Sequence, residues 1–313
     1  MTTAIYHHPL GKLHKLGDQH YECPERIEAI EKELTARGLD RVLDYRLSPE
    51  ATIEDIRRVH LADTVEYVRA NTPTVPDEYF PIDEICINMH SWPAALRTAG
   101  GVIAATDAVL AGEIQNAFCF TRPIGHHSTA GTLMGFCVFN SVAIAAAHAI
   151  KVRGLERVAI VDIDVHHGNG TEDIFAHEPR VMMVSFYQEF LYPFSGNERQ
   201  RDHMVNVPIP PGSDGTIIRQ AVTERWLPAL HKHQPQMIFI SAGFDAHTDD
   251  PLGGLKLVED DYIWITQQIM DVADQYAQGR IVSCLEGGYN LNALARSAAA
   301  HIQTLAQYKH NRT

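Results

Sequence analysis

The segment Arg157-Val158-Ala159-Ile160-Val161-Asp162-Ile163-Asp164-Val165-His166-His167-Gly168-Asn169-Gly170 does most to restrict the fold. Its apolar run, residues 158–163, reads as a strand buried on both faces, the signature of a parallel sheet covered by helices. Gly168 and Gly170 mark where that strand must end. Asp162, Asp164 and His166 therefore stand at a strand's carboxyl end. In open α/β sheets that edge is where loops converge side chains over a crevice.

The rest of the chain repeats the alternation. Strand-like runs fall at 4–6, 117–120, 181–186, 237–241 and 281–285. Helix-like stretches cover 24–37, 93–110, 138–152, 214–233, 258–276 and 291–308, the first opening on Pro24 and stopping at Gly38, the second stopping at Gly112. The pattern predicts an α/β fold with a mainly parallel central sheet and helices on both faces. At 313 residues and 45% hydrophobic composition, with no linker, repeat or low-complexity stretch, a single domain over 1–313 is expected.

Charge and cysteine content narrow the function classes. A formal net charge of -13 argues against direct nucleic-acid binding, which needs a basic face, and is compatible with cationic substrates. Cys23, Cys86, Cys119, Cys137 and Cys284 form an odd, scattered set without C-x-x-C spacing, so reduced thiols are expected and a cysteine metal site is not. No run approaches the ~20 apolar residues that span a bilayer, and the first residues carry no basic-then-apolar leader. The expectation is a cytoplasmic protein with no membrane contact. Histidine is abundant, at 18 residues, so lone histidines are discounted. His60, His148, His177, His231 and His301 read as core or surface residues of helix-like segments, and the His7-His8 pair likewise.

Asp164 and His166 supply two ligands of the kind zinc takes in a catalytic site, where one position stays open to water or substrate. On a regular strand, residues two apart stand about 6.6 Å from each other, so the chain must curl after residue 163. Gly168 permits that. A third ligand is expected from another strand end, and the run from Ile238 through Gly243 to Asp245 offers one. Taken singly, Asp164 would be a turn or cap residue. Asp162, before the turn, is expected to be buried and so to need a partner, either a histidine to orient or a monovalent cation.

A rival reading treats Asp162-x-Asp164 as similar to the nucleophile motif of haloacid dehalogenase-like phosphohydrolases, with Asp249-Asp250 as a magnesium pair. His166 stands where a small hydroxyl residue would follow, and the pair His126-His127 is left without a role. Magnesium also prefers oxygen ligands, whereas this set mixes imidazole with carboxylate.

His126 and His127 follow the strand at 117–120 through Arg122-Pro123-Ile124-Gly125, which places them on a shaped loop. Imidazole titrates near neutrality and can take a proton from an activated water and return it to a leaving amine. Asp162 and Asn169 are suitable acceptors to fix the tautomers. Farther on, Glu286-Gly287-Gly288 ends a strand and lets the backbone approach a ligand, and Tyr289 can donate its hydroxyl proton to an oxyanion. Alone, the histidines would be a solvated loop and Tyr289 a packing residue.

Together these segments resemble the histone deacetylase superfamily, of arginase-deacetylase fold, which includes acetylpolyamine amidohydrolases and acetoin-utilisation proteins. The resemblance runs from His20-Tyr21-Glu22-Cys23-Pro24-Glu25-Arg26, similar to a first-loop signature of class II members, to Glu286-Gly287-Gly288-Tyr289-Asn290. It implies one zinc ion held by Asp164, His166 and Asp245, with iron as the alternative native metal. His127 matches the general base and acid, His126 its electrostatic neighbour, and Tyr289 the transition-state hydroxyl. Asp162 would partner His126, and Asn169 would partner His127, leaving it less basic than a carboxylate partner would. A structural potassium site maps onto Asp162, Asp164, His166, Ser185 and Phe186, with a second site near Phe175 and Val181.

The same resemblance places Gly135, Phe136, Tyr192 and Leu252 along an acyl-lysine tunnel. It implies hydrolysis of acylated lysine in proteins or peptides, with acetylpolyamine as the alternative substrate and an oligomer compatible with either. Leu252 stands where a polyamine-selecting acidic residue would lie, and residues 21–25 show no constriction. Asp77, Glu78, Asp83 and Glu84 would supply an acidic mouth and keep polyamines open. A protein that holds acyl-lysine without cleaving it is disfavoured by the presence of Tyr289 and both histidines.

Overall fold

The computed structural model describes residues 2–83, 85–196 and 201–307. Among the described residues ten strands form in chain order: β1 (Thr3–His7), β2 (Asp44–Leu47), β3 (Phe80–Ile82), β4 (Ile85–Ile87), β5 (Asn116–Cys119), β6 (Val158–Asp162), β7 (Val181–Gln188), β8 (Met204–Ile209), β9 (Ile238–Ala242) and β10 (Ile281–Leu285). Eight of them build one parallel sheet in the order β2-β1-β5-β10-β9-β6-β7-β8, and β3 pairs with β4 in a separate antiparallel hairpin. The fold is the α/β architecture expected from the alternation.

Side chains alternate across the sheet, and helices cover both faces. Phe118, Val161, Ile240 and Leu285 pack on one face with Ile27, Ile30 and Leu34 of helix Glu25–Ala36, Tyr262 and Ile265 of helix Glu259–Tyr276, and Leu294 and Ile302 of helix Leu291–Ala306. Ala117, Ile160, Phe239 and Val282 meet Val102 and Ala105 of helix Ser91–Leu110, and Val142 and Ala145 of helix Ser141–Lys151, on the other. Full burial of each large aliphatic side chain stabilises the fold by about 1.5–3 kcal/mol. The central strands are buried at every residue, which is why they read as continuous apolar runs.

The sequence reading left out the two sheet edges and several short elements. β2 alternates between half-buried and exposed positions, and β8 carries Asn206 and an exposed Pro208, a residue that sheets tolerate at an edge. Helices Ala62–Asn71 and Asn169–Phe175 were also unforeseen, the second hidden by its flanking glycines. The helix expected over 214–233 is three pieces, Gly215–Ala221 and Leu227–His233 joined by a π-helical turn at Val222–Trp226. Pro228 lacks the N–H that would continue the α ladder across that turn. His60, His148 and His301 are buried, and His177 and His231 lie on the surface. All five cysteines are free. Among the described residues no helix is long and apolar enough to cross a membrane.

Four adjacent strands, β5, β10, β9 and β6, occupy the middle of the sheet. Their carboxyl ends deliver the site.

Candidate active site

β6 ends at Asp162, and two side-chain bonds curl the chain beyond it. Asp162 Oδ1 accepts the N–H of Asp164 (3.1 Å), and Asp164 Oδ1 accepts the N–H of His166 (2.9 Å). Such Asx turns replace the strand ladder and bring residues two apart together. From the end of β9, Asp245 closes on the same point, its Oδ1 accepting the N–H of Val165 (2.8 Å). His166 Nδ1 lies 3.0 Å from Asp164 Oδ1 and 3.0 Å from Asp245 Oδ2. One ligating atom from each of Asp164, His166 and Asp245 lies within 4.8 Å of the others, and all three residues are buried. Gly287, after β10, donates its N–H to Asp164 Oδ2 (2.8 Å). A Cβ at that position would overlap Oδ2 of both carboxylates, so only glycine lets the chain pass so close.

Two buried carboxylates side by side demand a positive charge between them. Burial, with Asp164 adding to it, pushes Asp245 up to about 7. Burial opposes charge on His166, but the two carboxylates outweigh it and raise it to about 10. A buried set of two carboxylates and one imidazole fits a divalent ion of the zinc kind better than magnesium.

The two adjacent histidines sit over this cluster, delivered by the loop after β5. His126 Nδ1 is 2.9 Å from Asp162 Oδ2, and its Nε2 is 3.7 Å from Asp164 Oδ2. Burial lowers its basicity, yet Asp164 and Asp162 together hold His126 well above the ordinary imidazole value. His127 Nδ1 is 2.8 Å from Asn169 Oδ1, and burial, reinforced by His126 and His166, holds it well below that value. Donation of the Nδ1 proton to Asn169 leaves Nε2 of His127 free to accept one. The backbone of this loop is gripped by Glu286, whose Oε2 accepts the N–H groups of Gly125 (2.8 Å) and His126 (3.1 Å).

A cavity of about 340 Å³ opens onto the cluster, lined by His127, Gly135, Phe136, His166, Leu191, Tyr192, Leu252 and Tyr289. The structure thus brings Gly135, Phe136, Tyr192 and Leu252 to one wall system, with Leu191 added. Phe136 stands edge-on to Tyr289 (ring centroids 5.9 Å apart) and to His20 (4.6 Å), and Tyr192 stands edge-on to His127 (5.2 Å). Gly135 has a φ of 56°, and a Cβ on it would run into the His127 ring.

Ser185 pairs with Asp162 in the β6–β7 register, with Phe186 next along the strand, and Ser185 Oγ donates to Asn206 Oδ1 (2.7 Å). Near the second expected cation position, His203 Nε2 lies 3.2 Å from the Phe175 carbonyl oxygen. Asp77, Glu78 and Asp83 are exposed and do not line the cavity, and Glu84 lies outside the described residues. The magnesium pair is corrected: Asp249 pairs with Arg296 (3.5 Å), Asp250 binds backbone N–H groups, and neither joins Asp162 or Asp164 in a metal-compatible cluster among the described residues.

Sequence reasoning missed the buried network beneath Tyr289. Glu22 lies between Arg26 Nη1 (3.0 Å to Oε1) and Arg122 Nη2 (2.8 Å to Oε2), all three buried. Burial disfavours its charge, but the two guanidinium groups win and lower Glu22 to about 2. Arg26 Nε donates to the Gly288 carbonyl (2.7 Å), and its Cζ lies 5.1 Å from the Tyr289 ring centroid. The available signal was that each charged residue lies inside or beside a motif already singled out.

This assembly defines a class: a parallel α/β protein with a carboxylate-imidazole cluster at the foot of an apolar cavity. Residues 20–305 match the family model described as Histone deacetylase domain. The chain is 38% identical over 278 residues to a "Histone deacetylase-like amidohydrolase" of Pseudomonas aeruginosa, covering 87% of this chain and 73% of that protein. It is 34% identical over 301 residues to a "Probable deacetylase" of Archaeoglobus fulgidus, covering 93% and 82%. The crystal structure of an HDA15 HD domain matches with a TM-score of 0.90 at 31% identity, covering 100% of this chain and 91% of that one. The chain belongs to the histone deacetylase family and is a hydrolase of the deacetylase and amidohydrolase type.

Proposed function

We propose that the protein is a zinc-dependent amidohydrolase that removes acetyl or other acyl groups from the side-chain amine of lysine in proteins or peptides. The observation that carries this is the meeting, at one apolar cavity, of the Asp164-His166-Asp245 cluster, His127 with its Nδ1 on Asn169, and Tyr289. Asp164, His166 and Asp245 would hold the ion, which when bound supplies Lewis acidity toward the amide carbonyl and makes a water more acidic.

The chain's own groups account for the remaining chemistry. His127 Nε2 takes the proton of the attacking water and returns it to the departing amine, turning acyl-amide into amine and carboxylic acid. Burial above all, reinforced by His126, disfavours a proton on His127 before reaction, and the positive charge that Asp164 and Asp162 favour on His126 would stabilise the developing negative charge. Tyr289 donates its hydroxyl to the oxyanion; burial above all keeps that hydroxyl protonated, its value well above the ordinary phenol. Phe136, Tyr192, Leu191 and Leu252 exclude water and accept the methylene chain of lysine. A monovalent cation beside Asp162 belongs to the same proposal, supported by Ser185 lying next to it in the sheet.

Among the described residues that line the cavity none is a carboxylate, which favours acyl-lysine over an acylpolyamine carrying a second positive charge. Zinc-dependent release of acetate from an acetyl-lysine peptide, run beside acetylputrescine, tests the reading. Preference for acetylputrescine replaces the substrate, and metal-loaded protein that turns over no acyl amide overturns the function.

A further inference from the structure

Asp250, the second residue of the pair that a magnesium site would have explained, is buried, and its oxygens are taken by backbone N–H groups from two loops. Oδ1 accepts the N–H of Leu252 (2.9 Å), and Oδ2 accepts those of Tyr289 (2.7 Å) and Asn290 (3.3 Å). Leu252 sits on the loop after β9 that also carries Asp245, whereas Tyr289 follows β10, and both line the same cavity. Asn290 adds a parallel tie, donating from Nδ2 to the Asp249 carbonyl (3.1 Å) while its Oδ1 caps helix Leu291–Ala306.

The sequence before Tyr289 explains why a tie is needed. Gly287 and Gly288 have no side chain to anchor them, and Gly288 adopts a φ of 119°. Such residues lose the most conformational freedom on ordering, so the tyrosine that follows needs an external hold. A carboxylate accepting several N–H groups is a strong, short-range one, and burial makes its loss expensive.

We propose that Asp250 is the positioning residue for Tyr289: it locks the loop after β10 to the loop after β9, and so sets the hydroxyl donor and the Leu252 wall in register across the cavity. This rests on the amidohydrolase reading for its catalytic consequence, though not for its geometry. An asparagine at 250 keeps the size but offers one acceptor oxygen in place of two, so it cannot serve both loops. A glutamate keeps the charge and moves the oxygens outward by one methylene, so it separates charge from placement.

The experiment compares wild type, Asp250→Asn, Asp250→Glu, Tyr289→Phe and the double variant Asp250→Asn/Tyr289→Phe on an acetyl-lysine peptide, with bound zinc measured for each. Expected for both Asp250 variants is a kcat lower by about 10–100-fold, as misplacement of a reacting group by about 1 Å produces, with KM within about twofold and zinc retained. The double variant should be no slower than Tyr289→Phe, because the first residue acts through the second. Wild-type kcat in either Asp250 variant, or losses that multiply in the double variant, would overturn the inference. Should Asp250→Asn not fold, Asp250→Glu carries the same readouts. Wild-type protein inactive on acyl amides overturns the function reading instead, and the crystal structure of the folded Asp250 variant then decides the inference: Tyr289 moved off the cavity wall supports it, Tyr289 in place sinks it.

Discussion

His126 and His127 are neighbours in the chain with ring centroids 4.0 Å apart, and their surroundings shift their basicity in opposite directions, His126 upward and His127 downward. Asp162 faces the first and the neutral amide of Asn169 faces the second. That divergence is what the two roles proposed for them require, since paired titratable residues divide their work through environment.

Replacement of Tyr289 by Phe removes the hydroxyl of a residue that lines the cavity and leaves the ring packed on Phe136 and Arg26. Loss of a single oxyanion donor lowers kcat by about 100–1000-fold. Steady-state kinetics should show that loss with KM little changed, and a fluorescent inhibitor should still bind. Unchanged kcat would remove Tyr289 from the mechanism.

Metal removal is the second test. Dialysis against a chelator should abolish activity and lower the melting temperature, because an ion bound only by the folded state stabilises it by mass action. Zinc should restore both. Asp245→Asn should reduce bound zinc well below one per chain, and elemental analysis would check it.

Gly135→Ala places a methyl group where the His127 ring already lies, on a backbone with a φ of 56° that alanine resists. Stability should fall by more than about 1 kcal/mol, and kcat by at least about tenfold as the imidazole is pushed aside. A variant with wild-type kcat would show that the wall gives way instead.

The stability contributed by three buried histidines should decline as the pH falls below neutrality, opposed by Asp245 and Glu286, which burial raises to about 7. Burial lowers His14 to about 3, His60 to about 4 and His301 to about 3, so in this range only the unfolded chain takes up these protons. The stability tied to each is full above the ordinary value near 6.5 and is lost progressively down to the folded value. At pH 5 each loses up to about 2 kcal/mol relative to pH 7.5. Glu22, lowered to about 2 chiefly against burial by Arg122 and Arg26, adds a further loss below about 4.5 that completes as pH falls through its folded value. Urea titrations at pH 7.5 and 5 measure the first window. His301→Phe, which leaves Thr266 and Ser283 without their shared partner, should be less stable yet show a shallower pH slope. An equal slope would show that His301 is protonated in the folded state.

The central strands were legible in the sequence because burial on both faces leaves only apolar residues between their ends, and the glycines that follow mark the turns. The cluster residues were legible for a related reason. A carboxylate or imidazole directly after such a run has no local apolar role, and the ordered motifs matched one family. β2 and β8 were not legible, since an edge strand is half exposed and, at Pro208, gives up a ladder donor.

What only tertiary structure decided is which distant groups share a partner. Asp250 binds backbone N–H groups at 289 and 290, and Glu22 joins Arg122 across 100 residues of chain. Backbone donors carry no side-chain signature, and a buried charge reads the same in sequence as an exposed one. Local pattern therefore determined the central strands and the residues at their ends, while chain folding alone fixed the hydrogen bonds that hold those residues in place.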